Sequence, residues 1–131
     1  MILLDTHAWI WWLSAPNRVG PEARRAIEQA IDRGAALVSS VSVWEVALLV
    51  TRGRLQLDRP VRAWLAEAEA VAGFRFVPVD NRIATESVLL KEGLHADPAD
   101  RFIAATALVC SVPLATADEK LRAYPPLCTV W

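Results

Sequence analysis

The chain has 131 residues, a formal net charge of −1, 54% hydrophobic and 22% charged residues. That length suits one domain, residues 1–131, with a full core, and the near-neutral charge excludes a global basic footprint for nucleic acid, leaving only a local cationic groove. Two cysteines and two histidines, at Cys110, Cys128, His7 and His95, are too few and too scattered for a zinc cluster.

Taken in order, the chain alternates short β-branched runs with helical patterns. Ile2–Leu4 reads as a buried strand that ends on Asp5 and hands over to a tryptophan-rich helix at His7–Ser14. Trp9, Ile10, Trp11 and Trp12 cover every side of that helix and cannot all face one core. Pro21–Arg33 is amphipathic: Ala23, Ile27, Ala30 and Ile31 point inward, Arg24, Arg25, Glu28 and Asp32 outward. A strand at Ala36–Val41 precedes a helix at Val43–Arg52, with Trp44 on its inward stripe. The helix at Val61–Ala72 follows, buried through Val61, Trp64, Leu65 and Ala68. Phe74–Val79 is the third strand, and Asp80 caps a helix at Asn81–Glu92. A very apolar helix at Pro98–Val109, a strand at Val112–Ala115, a helix at Ala117–Arg122 and a last strand at Cys128–Trp131 complete the list.

Punctuation agrees with these elements. Pro21 and Pro98 suit first helical turns, and Gly34, Gly53, Gly73 and Gly93 suit positions just past helix ends. Strands alternating with helices predict a mainly parallel sheet covered on both faces, a three-layer α/β/α sandwich. The high apolar fraction predicts that part of the surface is covered by another chain. The amino terminus lacks the charge and cleavage pattern of a signal peptide, and the longest uncharged run, Phe102–Ala117, is broken by Thr106, Ser111 and Pro113. A cytoplasmic protein with two buried, reduced thiols is expected.

Most of the fifteen acids sit on polar helix faces. Four do not: Asp5 after MILL, Glu45 inside SVWEVALLV, Asp100 before RFIAATALV, and Asp118 after VPLATA. In an open parallel sheet, sites form beyond the C-terminal strand ends where strand order reverses. Asp5 and Asp118 sit at such ends, and Glu45 and Asp100 fall in first turns of helices starting on that side. Each also fits a cap: Ser42 with Glu45 and Thr116 with Glu119 have capping-box spacing, and Asp97-Pro98 opens a helix. Capping alone does not explain four apolar-flanked acids at one end of one sheet, because gathered carboxylates repel unless a cation holds them. Oxygen ligands without His or Cys select Mg²⁺ or Mn²⁺, and an all-carboxylate site on this fold suggests metal-assisted phosphodiester hydrolysis.

The segments LLDTHAWIWWL, SSVSVWEVALLVTRGRL, HADPADRFIAATAL and VPLATADEKLRAYP resemble PIN-domain proteins, specifically the VapC-type toxins of bacterial toxin–antitoxin pairs. The resemblance spans nearly the whole chain. It implies a five-stranded parallel sandwich acting as a Mg²⁺- or Mn²⁺-dependent endoribonuclease with Asp5, Glu45, Asp100 and Asp118 as the acidic constellation. Asp97 is a second acid in the Asp100 turn. It further implies a homodimer inhibited by a cognate antitoxin that crosses the groove near the acids. Ala99 stands where an aromatic is common in the family, and Ser111 where Gly often precedes the fourth strand.

Arg52, Arg54 and Arg101 read as exposed helix-end or loop charges, or as contacts to the RNA backbone. Thr6 and Thr116 flank the acids as caps or donors, and a lone His7 reads as packed rather than as a general base. Other acid-centred enzymes fit less well. Aspartyl-phosphate phosphatases need a second acid where His7 stands, receiver domains need an acidic pair before Asp5, and no glycine-rich loop precedes Gly20. The non-enzymatic rival is a catalytically silent PIN-like binding or scaffold module, which should not bind Mg²⁺ or Mn²⁺.

Overall fold

A computed structural model describes all residues from Met1 to Trp131. Five strands, β1 (Ile2–Leu4), β2 (Ala36–Ser39), β3 (Phe74–Val77), β4 (Leu114–Ala115) and β5 (Thr129–Val130), form one sheet in the order β3-β2-β1-β4-β5, and every pair is parallel. Seven α-helices join them: α1 (Thr6–Ser14), α2 (Pro21–Asp32), α3 (Ser40–Thr51), α4 (Val61–Ala70), α5 (Asn81–Leu89), α6 (Pro98–Cys110) and α7 (Glu119–Arg122). A single 3₁₀ turn at Pro16–Arg18, absent from the periodicity, links α1 to α2.

The central strands are apolar throughout because both faces are covered. Ile2, Leu4, Ala36 and Val38 join Trp9, Ile27 and Trp64 on one side. Leu3, Leu37 and Leu114 meet Ile103, Ala104 and Leu121 on the other. The period-2 alternation of the strands thus divides one continuous apolar run between two cores. Trp9 is fully buried, with Trp64 and Phe76 edge-on at 5.3 and 5.7 Å. Ile10 is also buried, whereas Trp11 and Trp12 are half-exposed, which resolves the crowded helix as expected.

Several boundaries move, each for a local reason. β2 stops at Ser39 rather than Val41 because the Ser39 hydroxyl accepts the Val41 N–H and caps α3. α3 therefore begins three residues before the sequence pattern suggests. Ser42 is buried inside it, and the Ser42–Glu45 capping box does not form. Trp44 turns outward and is 52% exposed, contrary to its assignment to the inward stripe. α7 starts at Glu119, capped by Asp118 and not by Thr116. β3 ends at Val77, two residues short of Val79, and α5 ends at Leu89, three short of Glu92; β4 and β5 shorten to two residues each. Cys110 is half-buried and Cys128 exposed, so the thiols are free but not both buried as expected. Gly73, at φ 92°, holds a position where a Cβ would stand 2.7 Å from the Ile31 carbonyl oxygen, so glycine is required there. No helix is long and apolar enough to cross a membrane.

Candidate active site

Winding outward from β1 through β2 to β3, the chain returns across the sheet to place β4 and β5 on the other side of β1. The β1/β4 boundary is the switch point at which clefts form in such sheets. Asp5 leaves β1 there and Asp118 follows β4. The backbone ties the two strand ends together, with the Asp5 N–H donating to the Ala115 carbonyl at 3.0 Å.

Asp5 does two jobs. One carboxylate oxygen accepts the Ala8 N–H at 2.7 Å and caps α1, and the other accepts the Thr116 hydroxyl from across the sheet. It is 6% exposed. Burial raises its pKa from the usual carboxylate range to about 6, against the lowering effect of those hydrogen bonds. Thr116 in turn accepts the Asp118 N–H at 3.0 Å, so one hydroxyl joins the acids of β1 and β4. Asp118 accepts the Lys120 and Leu121 N–H groups through a single oxygen, Oδ1, while Oδ2 makes no hydrogen bond within the chain.

Glu45 lies in the second turn of α3, not the first, because α3 starts at Ser40. It is half-buried and its pKa is raised, burial first, with the Thr6 hydroxyl acting against it. Thr6 donates to Ser42 Oγ at 2.9 Å and so fixes α1 against α3. Asp97 caps α6 by accepting the Asp100 N–H at 3.0 Å. Asp100 is held by His95, whose Nε2 lies 2.6 Å from Asp100 Oδ2. Burial raises the Asp100 pKa, His95 lowers it, and Asp97 and Asp118 raise it again.

Asp5, Glu45, Asp97, Asp100 and Asp118 line one cavity, together with Thr6 and His7. All four acids singled out in the sequence face it, and so does Asp97. They surround the space without converging: no three are already gathered as a ligand set. The caps hold Asp5, Asp97 and Asp118 at their separate helix ends. The donor set nonetheless fits a hard divalent cation. It is all oxygen, Asp118 Oδ2 and Asp100 Oδ1 are free of partners within the chain, and three raised pKa values mark charge in need of neutralisation.

Sequence reasoning missed His95 and misjudged Arg101. Arg101 does not face solvent as an RNA contact. Its guanidinium turns inward onto the Ser87, Val88, Leu94 and His95 carbonyls at 2.9–3.5 Å, fastening the 90–97 loop to the end of α5. That loop presents His95 to Asp100. His95 Nδ1 is buried without a partner, and Nε2 is the ring nitrogen that meets the Asp100 carboxylate. The available signal was the spacing His95-Ala-Asp97-Pro-Ala-Asp100, in which a turn before α6 folds the imidazole back over the helix start. His7, by contrast, is exposed and leans on Trp11 at 5.7 Å, whose ring also carries the Arg18 guanidinium at 4.5 Å.

Comparison with known proteins agrees with this geometry. The PIN domain profile matches residues 2–126. The chain is 38% identical over 133 residues to Ribonuclease VapC22 of Mycobacterium tuberculosis, covering 99% of this chain and 98% of that one. Among solved structures, VapBC2 from Rickettsia felis, bound to a DNA fragment from its promoter, shares the fold at TM-score 0.73 and 16% identity, covering 98% and 97% of the two chains. FitAcB from Neisseria gonorrhoeae aligns at TM-score 0.65 and 27% identity over 98% and 96%. An all-parallel 3-2-1-4-5 sheet with acids at its switch point, matched by profile from β1 to beyond α7, is a PIN domain, and the chain belongs to the PIN-domain family.

Proposed function

We propose that residues 1–131 form one PIN domain acting as an endoribonuclease, the toxin of a type II toxin–antitoxin pair, with Asp5, Glu45, Asp100 and Asp118 as its catalytic carboxylates. The observation that carries this reading is the single cavity these four acids share at the β1/β4 switch point. Likeness to a VapC ribonuclease over nearly the full length supports both the chemistry and an antitoxin partner. Asp5, Asp100 and Asp118 would hold Mg²⁺ or Mn²⁺, with Glu45 either sharing the ion or orienting water. Bound there, a divalent cation supplies charge neutralisation at the phosphate and activation of water.

The chain's own contribution is positional. Asp5 is held by Ala8 and Thr116, Asp118 by its cap, and Asp100 by His95, so the chain itself fixes where each carboxylate stands at the cavity. Water attacks phosphorus in line, the bond from phosphorus to O3′ breaks, and the products carry a 5′-phosphate and a 3′-hydroxyl. Purified, partner-free protein is expected to cut a mixed RNA pool with Mg²⁺ or Mn²⁺ and to stop with EDTA. Cutting that persists in EDTA would sink the metal-dependent reading.

His95 acts through Asp100. His95→Ala is expected to weaken Mn²⁺ binding by about 10–100-fold, as loss of an outer-shell partner does. His95→Gln, whose amide N–H can reach the same oxygen, is expected to keep most of the affinity. Calorimetric Mn²⁺ titration of both variants checks this, and equal losses would reduce His95 to packing.

A homodimer is part of the same proposal. The last turn of α5 carries Val88 and Leu89, 75% and 67% exposed, an unusual adjacent pair for a free surface. Replacing both by Asp is expected to shift a dimer to monomer by light scattering without changing the circular dichroism. An unchanged mass would place the interface elsewhere.

A further inference from the structure

The segment between α5 and α6 carries His95 to Asp100, and its own backbone does little to hold it there. Residues 91–96 form no helix or strand, and none of them gives or takes a backbone–backbone hydrogen bond. Leu90 and Leu94 lean on the second core, while Lys91, Glu92, Gly93 and Ala96 are exposed. Such a segment opens easily unless side chains from elsewhere fasten it.

Two side chains do so. Arg101 holds the exit of the segment, with Nη1 donating to the Leu94 and His95 carbonyls at 3.2 and 3.5 Å. Tyr124 holds the entry, its hydroxyl donating to the Lys91 carbonyl at 2.7 Å across 33 positions of sequence. The tyrosine ring is fully buried, and Gly93 passes over it. A Cβ added at Gly93 would stand 3.9 Å from Tyr124 Cδ1, on a backbone whose φ of 108° favours glycine. A phenylalanine would fill the same volume, so packing does not account for the hydroxyl. Its one partner, Lys91, does.

Tyr124 follows α7 directly after the cap Ala123. Its N–H donates to the Leu121 carbonyl at 3.2 Å, and the Leu121 N–H is one of the two that Asp118 caps. Leu121 is itself fully buried in the second core. A short path therefore runs from Asp118 through Leu121 and Tyr124 to Lys91, and along the segment through His95 to Asp100. A hard divalent cation needs its oxygen ligands at set places, so a loose supporting segment weakens the site.

Building on the ribonuclease reading, we propose that Tyr124 is a positioning residue for the metal-facing carboxylates. Its hydroxyl ties the 91–97 segment to α7, and so sets His95, and with it Asp100, at a fixed place relative to Asp118. Tyr124 itself lines no part of the acid cavity.

Tyr124→Phe removes the hydroxyl and keeps the ring. The exposed Lys91 carbonyl then turns to water, so the variant is expected to keep the wild-type circular dichroism. The first readout needs neither metal nor RNA. Trypsin cleaves after lysine, and the Lys91–Glu92 bond contains the carbonyl that Tyr124 holds. In EDTA, cleavage there is expected to run about 5-fold faster in Tyr124→Phe, the change in open population given by one net hydrogen bond. The second readout is calorimetric Mn²⁺ titration. Affinity is expected to fall about 5-fold in Tyr124→Phe, yet to fall no further when Tyr124→Phe is added to His95→Ala, because the two residues act along one path.

Unchanged cleavage at Lys91 would overturn the tether, whether or not the protein cuts RNA. Faster cleavage with unaltered Mn²⁺ affinity would refute the positioning role and leave Tyr124 an anchor of the fold. Losses that add in the double variant would refute it too, since His95 would then lie off the path. Wild type that binds no Mn²⁺ would sink the metal-dependent reading and the positioning role together, and the tryptic cut would still report separately on the tether.

Discussion

Asp5→Asn is expected to cut RNA at less than a hundredth of the wild-type rate while melting higher than wild type in the absence of metal. The first effect follows from place. Asp5 is the most buried of the cavity acids, sits at the switch point, and is tied to both neighbouring elements. A hundredfold loss corresponds to about 2.7 kcal/mol of transition-state stabilisation, a modest demand on the central carboxylate of a metal site. The second effect follows from burial. Moving a carboxylate out of water raises its pKa to about 6, from 3.8, which is a penalty of roughly 3 kcal/mol on the ionised form at neutral pH. Asparagine has the same shape, keeps an oxygen for the Ala8 N–H, and carries no charge. A gain of several degrees in melting temperature in EDTA is therefore expected. Loss of activity together with a lower melting point would mean that Asp5 is a structural cap and no more.

The stability of the metal-free protein is expected to fall as pH rises from about 4 to about 6, the reverse of the usual behaviour of a paired carboxylate. Between those values unfolded Asp5 has lost its proton and folded Asp5 still holds it. The folded state then binds more protons, so stability declines with pH and levels off above the folded pKa. Glu45 and Asp100 have raised pKa values as well and push in the same direction. Urea unfolding in EDTA at pH 4.5, 5.5 and 7 measures the decline, whose upper size for Asp5 is roughly 3 kcal/mol. Most of it should vanish in Asp5→Asn. At pH 7, Mn²⁺ at a hundred times its dissociation constant should restore about 2.7 kcal/mol. A stability that is level across the window and indifferent to Mn²⁺ would refute the idea that strained charge at the switch point is held ready for a cation.

The two expectations rest on one structural fact. A fold can keep carboxylates out of water only by spending stability gained elsewhere, and the place where it does so is a candidate for function. Here the large apolar cores on both faces of the sheet supply that stability. The caps that hold Asp5, Asp97 and Asp118 recover part of the cost, because a carboxylate at a helix start accepts backbone N–H groups that would otherwise lack partners. Capping and ligation, weighed as rivals from the sequence, are therefore compatible. Asp118 caps α7 with one oxygen and leaves the other free.

What the sequence determined by itself was local and periodic. Strands at Ile2–Leu4 and Ala36 onward, the amphipathic α2, the Asp80 and Asp97 caps and the four acids stranded among apolar residues all follow from patterns within a few residues. Tertiary structure decided everything that depends on which strands become neighbours. Only the 3-2-1-4-5 order brings Thr116 to Asp5 across 111 positions and turns scattered acids into one cavity. Trp44 looked like a core residue because its helix is apolar on every side. It faces outward because α3 begins at Ser40 and presents Val41, Ser42 and Val46 to the interior instead. His95 and Arg101 carried no periodic signal, since their work is done by a loop folded back onto a helix start. Periodicity records which face of an element is dry, whereas a site is made where elements distant in the chain meet, and only packing selects those meetings.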